Sequence, residues 1–124
     1  MSQAPALILV VDDSEDNRMI MRMCLEDAGY RLDEAVDGAD ALTHIARERP
    51  ALVVMDLSMP GMDGSEATRK IKENPETRDI RVLVLSGHAT GELVESAHAA
   101  GADEVVTKPV LPTALVAAVR RLLA

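Results

Sequence analysis

Apolar and polar positions divide the 124 residues into alternating segments of two kinds. Short apolar runs stand at 6–11, 30–35, 52–55, 82–85 and 104–106, and each reads as a strand; the second is weaker and alternates with polar residues. Between and after them, 14–28, 38–47, 64–73, 90–100 and 112–123 carry apolar residues at helical spacing. A strand followed by a helix, five times over, predicts parallel βαβ units with right-handed crossovers and helices on both faces of one sheet. The first, third and fourth strands are apolar throughout, as expected of central strands covered on both sides.

The punctuation agrees with this division. Gly29 and Gly101 follow the first and fourth helices as C-terminal stops, Pro50 closes the connection out of the second, and Ser14, Asp37, Asp63 and Thr90 stand where N-caps belong. On the first helix the expected inward stripe is Ile20, Met21, Cys24, Leu25 and Ala28, which leaves Met19 and Met23 outside together with Arg18 and Arg22. There is no internal repeat, linker or low-complexity stretch, so residues 1–124 are expected to form a single domain.

Composition narrows the function classes. A net charge of −8 with scattered Lys and Arg argues against nucleic-acid binding, and no apolar run approaches the ~18 residues of a membrane span. One cysteine, Cys24, allows neither a disulfide framework nor a thiolate metal site, which fits a reducing, cytoplasmic setting. Tyr30 is the sole aromatic residue, so the core must be aliphatic and stacking on bases or flavins has little to work with. His44, His88 and His98 show no ligand spacing.

In an open parallel sheet, reactive groups collect at the C-terminal ends of the strands. There this chain places Asp12 and Asp13 after strand one, Asp56 after strand three, Ser86 after strand four, and Lys108 with Pro109 after strand five. Clustered carboxylates repel one another and call for a hard cation; magnesium, with oxygen ligands from one or two carboxylates and water, suits them, with manganese as a substitute. Lys108 suits an anionic phosphoryl group as a point charge, and the Ser86 hydroxyl can donate to the same oxygens. Asp56 then reads as a nucleophile that accepts phosphoryl. Plainer readings stand beside these: Asp12 and Asp13 as a turn and helix cap, Ser86 as a cap, Lys108 reaching to water, and Pro60-Gly61 as a type II turn.

The order Asp12-Asp13, Asp56, Ser86, Lys108-Pro109, with "MPGMDG" after Asp56, resembles the receiver domain of two-component response regulators over the whole chain. The resemblance implies a flavodoxin-like (βα)5 sandwich with strand order 2-1-3-4-5. It implies phosphorylation of Asp56 and a Mg2+ held by Asp13 directly, by Asp12 largely through water, by Asp56 and by the Ser58 backbone carbonyl. Ser86 and Lys108 would bind the phosphoryl group, and a cis peptide bond would precede Pro109. Where such domains commonly carry an aromatic switch residue this chain has Val105. The implied donor is a histidine kinase or a histidine phosphotransfer protein. Apolar area left on the outside of the first helix near Asp56 further predicts that Met19 and Met23, with Arg18 and Arg22, form part of the donor's docking face. The role is that of a regulatory phospho-acceptor rather than an enzyme, acting through a downstream partner or output domain, with no nucleic acid or membrane involved. A magnesium-dependent phosphatase with an Asp nucleophile is the alternative, although that pattern resembles Asp-x-Asp at the end of strand one rather than adjacent aspartates.

Overall fold

The computed structural model describes residues 5–57, 64–87 and 91–124, without the side chains of residues 91–93. Its elements are β1 (Leu7–Val11), α1 (Glu15–Asp27), β2 (Arg31–Ala35), α2 (Gly38–Arg47), β3 (Leu52–Asp56), α3 (Gly64–Glu73), β4 (Arg81–Ser86), α4 (Gly91–Ala99), β5 (Glu104–Thr107) and α5 (Pro112–Leu123). The five strands form one parallel sheet in the order β2-β1-β3-β4-β5. Among the described residues, no helix is long and apolar enough to cross a membrane.

The two-residue period of a strand decides which helices cover which face. Leu9, Val11, Val53, Met55, Val82 and Val84 point to one side, where Ala41 and Ile45 of α2, Ala67 and Ile71 of α3, and Ala97 of α4 pack on them. Ile8, Val10, Leu52, Val54, Leu83 and Leu85 point to the other, under Met21 and Leu25 of α1 and Leu115, Ala118 and Val119 of α5. Every residue of β1 and β3 is therefore buried, whereas edge strand β2 buries only Ala35 fully.

Helix ends follow their local chemistry. The Ser14 hydroxyl accepts from the Asn17 amide at 3.3 Å and Asp37 accepts from the Asp40 amide at 2.8 Å, while Glu15 and Asp16 complement the dipole of α1. Gly29 and Gly101 adopt φ of +101° and +104°, the left-handed conformation that lets the chain leave α1 and α4. The expected caps Asp63 and Thr90, and the Pro60-Gly61 turn, lie outside the described residues.

One expectation fails. Ile20 is 56% exposed rather than part of the inward stripe, which consists of Met21 and Leu25 with Cys24 and Ala28 half-buried. A helix resting on a sheet through residues four apart has a narrow contact line, and Ile20 falls at the rim of a groove between α1 and the segment leading into α5.

Candidate functional site

Parallel pairing brings the C-terminal ends of four strands to one edge. Val11 is in register with Met55, Asp56 with Leu85, and Ser86 with Thr107, so the residues that end or follow β1, β3, β4 and β5 meet there. Asp12, Asp56 and Ser86 are 1%, 3% and 0% exposed, whereas Asp13 is open to solvent. One carboxylate oxygen from each of Asp12, Asp13 and Asp56 falls within 4.8 Å of the other two.

Lys108 is the cation facing this cluster. Its ammonium lies 3.1 Å from Asp56 Oδ2 and 3.9 Å from Asp12 Oδ2. The Lys108 amide donates to the Ser86 carbonyl at 2.7 Å, joining the ends of β4 and β5, and the Lys108–Pro109 peptide is cis. Burial raises the Asp12 carboxyl above its ordinary range, and the charge of Asp56 adds to this; the Ser14 amide, Lys108 and Asn17 act the other way. Buried like charges beside one open carboxylate are an arrangement that a hard divalent cation relieves. Three oxygen donors with an open side for water fit Mg2+ or Mn2+ and offer no nitrogen or sulfur ligand to a softer ion.

Asp12 is held by more than the sequence indicated. Its Oδ1 accepts from the Ser14 amide at 2.9 Å, its Oδ2 from Asn17 Nδ2 at 3.4 Å, and its carbonyl from Arg18 Nη1 at 2.7 Å. Asn17 was not singled out in the sequence, although a polar residue in the first turn of a helix that opens on a carboxylate is the available signal. Arg18, expected on the outer surface, is turned inward with its side chain 13% exposed. Gly64 was also overlooked: a Cβ there would stand 2.4 Å from the Asp56 carbonyl oxygen, so α3 begins in direct contact with the backbone of Asp56. Ser58 lies outside the described residues. Val105 is half-buried and packs on the cluster beneath α2, α3 and α4.

Comparison with known proteins fits this geometry. A profile of the response regulator receiver domain matches residues 8–120. The chain belongs to that family. The response regulator PleD of Caulobacter vibrioides is 38% identical over 118 residues, 94% of this chain and 26% of PleD. The response regulator MprA of Mycobacterium sp. (strain KMS) is 38% identical over 119 residues, 96% of this chain and 51% of MprA. This receiver thus spans about a quarter of the first relative and half of the second. Among solved structures, the chemotaxis protein CheY4 of Vibrio cholerae superposes with a TM-score of 0.91 at 31% identity, covering 97% of this chain and 100% of that one. The receiver domain of a signal transduction histidine kinase from Syntrophus aciditrophicus does so with 0.90 at 33% identity, covering 95% and 89%. The receiver's role is regulatory, in two-component signalling, and its acidic pocket fits a phospho-accepting site.

Proposed function

We propose that Asp56 is the phosphoryl acceptor of a single receiver domain formed by residues 1–124. The observation that supports this best is the placement of the Asp56 carboxylate, 3.1 Å from the Lys108 ammonium and within 4.8 Å of the Asp12 and Asp13 oxygens. In this reading a carboxylate oxygen of Asp56 attacks the phosphorus of a phosphohistidine, the P–N bond breaks, and the imidazole departs with a proton, leaving an acyl phosphate. Lys108 moves with the transferred group, from pairing with the free carboxylate to pairing with a phosphoryl oxygen, and Ser86 donates to another. Asp12, Asp13 and Asp56 would hold Mg2+, which when bound would neutralise charge on the incoming phosphoryl oxygens. The chain is then a substrate of its donor and not an enzyme with turnover on small molecules.

The donor is a histidine kinase or a histidine phosphotransfer protein, and the chain shares the cytoplasm with it. Its docking face centres on the groove between α1 and the β5–α5 segment, about 510 Å3 in volume, that opens beside Asp12 and Lys108. Met19, Ile20, Met23 and Leu111 are all more than half exposed on α1 and ahead of α5, and methionine adapts to varied partners. Arg22 stands at this face with its side chain 44% exposed, although it pairs with Glu34 and Glu26, whereas Arg18 is 13% exposed and held by Glu34 and the Asp12 carbonyl.

Incubation with a small phosphoryl donor tests the reading. Label is expected on Asp56 only with Mg2+ present, and none in Asp56→Asn, because an amide does not attack phosphorus. Label retained in that variant, or sustained hydrolysis of a phosphate ester, would overturn it.

A further inference from the structure

The end of β1 is tied to edge strand β2 by a chain of charges that the phosphoryl chemistry does not itself use. Arg18 Nη1 donates to the Asp12 carbonyl at 2.7 Å and Arg18 Nε to Glu34 Oε1 at 3.1 Å. The other Glu34 oxygen accepts from Arg22 Nη1 at 2.7 Å, and Arg22 Nε lies 3.3 Å from Glu26. From α1, the guanidinium of Arg18 thus grips the backbone of the turn that carries both acidic residues, and Glu34 on β2 fixes the guanidinium.

This matters because the two acids are held differently. The Asp12 carboxylate has its own partners in the Ser14 amide and Asn17, whereas Asp13 is exposed. The direction from which the Asp13 carboxylate enters the cluster depends on its backbone as well as on its own two torsions, and the peptide joining it to Asp12 is the one whose oxygen Arg18 holds. A planar guanidinium donates along two fixed directions at once; an ammonium is a point charge that can meet one of these acceptors but not orient both.

We propose that Arg18, anchored by Glu34, is a positioning residue for the metal site, acting through the Asp12 carbonyl to aim the Asp13 carboxylate. The inference rests on the reading of Asp12, Asp13 and Asp56 as a divalent-cation site. Groups that orient ligands from behind typically change metal affinity by about tenfold or more when removed.

The test is Mn2+ binding, with free ion counted by electron paramagnetic resonance, well below the melting temperature of each variant. Arg18→Met is expected to bind roughly tenfold more weakly than the unaltered chain and Arg18→Lys to fall between them, with Glu34→Gln also weakened. Lys72→Met breaks an ion pair far from the site; it is expected to lower the melting temperature while leaving Mn2+ affinity within about twofold. Unchanged affinity in folded Arg18→Met overturns the proposal. Should that variant fail to fold, unchanged affinity in both Arg18→Lys and Glu34→Gln does so. Equal weakening in Lys72→Met would make the effect general softening and overturn it as well. An unaltered chain that binds no Mn2+ overturns the reading of the site, and this proposal with it.

Discussion

Asp12 and Asp13 are adjacent in sequence and opposite in environment, one 1% exposed and the other in solvent. Burial and the neighbouring Asp56 disfavour charge on Asp12, so Asp12→Asn is expected to raise the melting temperature of the metal-free protein by a few degrees. It should also shrink the further rise that Mg2+ produces by binding only the folded state. A metal-free melting temperature at or below that of the unaltered chain would contradict this. Gly64 carries a second residue-level prediction, since an added Cβ would lie 2.4 Å from the Asp56 carbonyl and 3.0 Å from Leu57 Cα, both backbone atoms. Gly64→Ala should destabilise by roughly 1–3 kcal/mol, as other overpacked sites do, and slow labelling of Asp56 because the strain falls on its backbone. Thermal denaturation and small-donor labelling check the two effects. The acidic residues and Lys108 were legible in the sequence because each ends an apolar run, where the chain must turn and a charge is conspicuous. Gly64 was not, because its reason lies in a contact between two elements.

At the scale of elements, period and punctuation carried most of the information. The five strands and five helices lie within a residue or two of the boundaries read from the chain. What the helical pattern could not give was the width of each contact. Ile20 is as apolar as Met21 and one position away, but only the sheet beneath and α5 beside it decide which is covered. Arg18 likewise reads as surface until Glu34, sixteen residues on, is placed next to it. A second long-range tie joins the end of α3 to the start of β4 and β5. Lys72 Nζ donates to the Arg78 and Ile80 carbonyls and to Asp103 Oδ2 at 2.9 Å, and Asp103 also accepts from the Val82 amide. Burial alone would raise the Asp103 carboxyl, but Lys72, the Val82 amide and Arg81 outweigh it and hold it below its ordinary value of 3.8. The folded pKa lies below the unfolded one, so this contribution is fully present above the ordinary aspartate range and is lost as pH falls through the folded value. Asp103→Asn should therefore lower the melting temperature at neutral pH and flatten its fall in acid. A variant with the same acid limb as the unaltered chain would remove Asp103 from the account.

Across the whole molecule, the proposed phosphoryl group on Asp56 would add charge at an edge where four strands end, and it signals only if two arrangements of the chain differ in their contacts with it. In the proposed reading Ser86 and Lys108 follow that charge, and they are already joined by the bond from the Lys108 amide to the Ser86 carbonyl. Movement of either is expected to pass between the ends of β4 and β5 through that bond, and onward to α4 and α5. At the position where receiver domains commonly carry an aromatic switch residue this chain has Val105, half-buried, branched at Cβ and limited to one side-chain torsion. The chain has no Phe or Trp, and its one Tyr, Tyr30, precedes β2 at the opposite edge of the sheet. The response is thus expected to be a backbone adjustment rather than a side-chain flip. Amide hydrogen exchange, with and without Mg2+ and a phosphoryl mimic, should change protection at residues 84–87 and 104–109, with smaller changes along α4 and α5. His88 to Thr90 lie outside the described residues but belong to the same segment, and their peptides should follow. The exchange of β1 amides, buried between β2 and β3, should stay as it was. Protection changes confined to α1, with none between 84 and 109, would show that phosphorylation is read at the docking face alone and that the path through Ser86 and Lys108 is wrong.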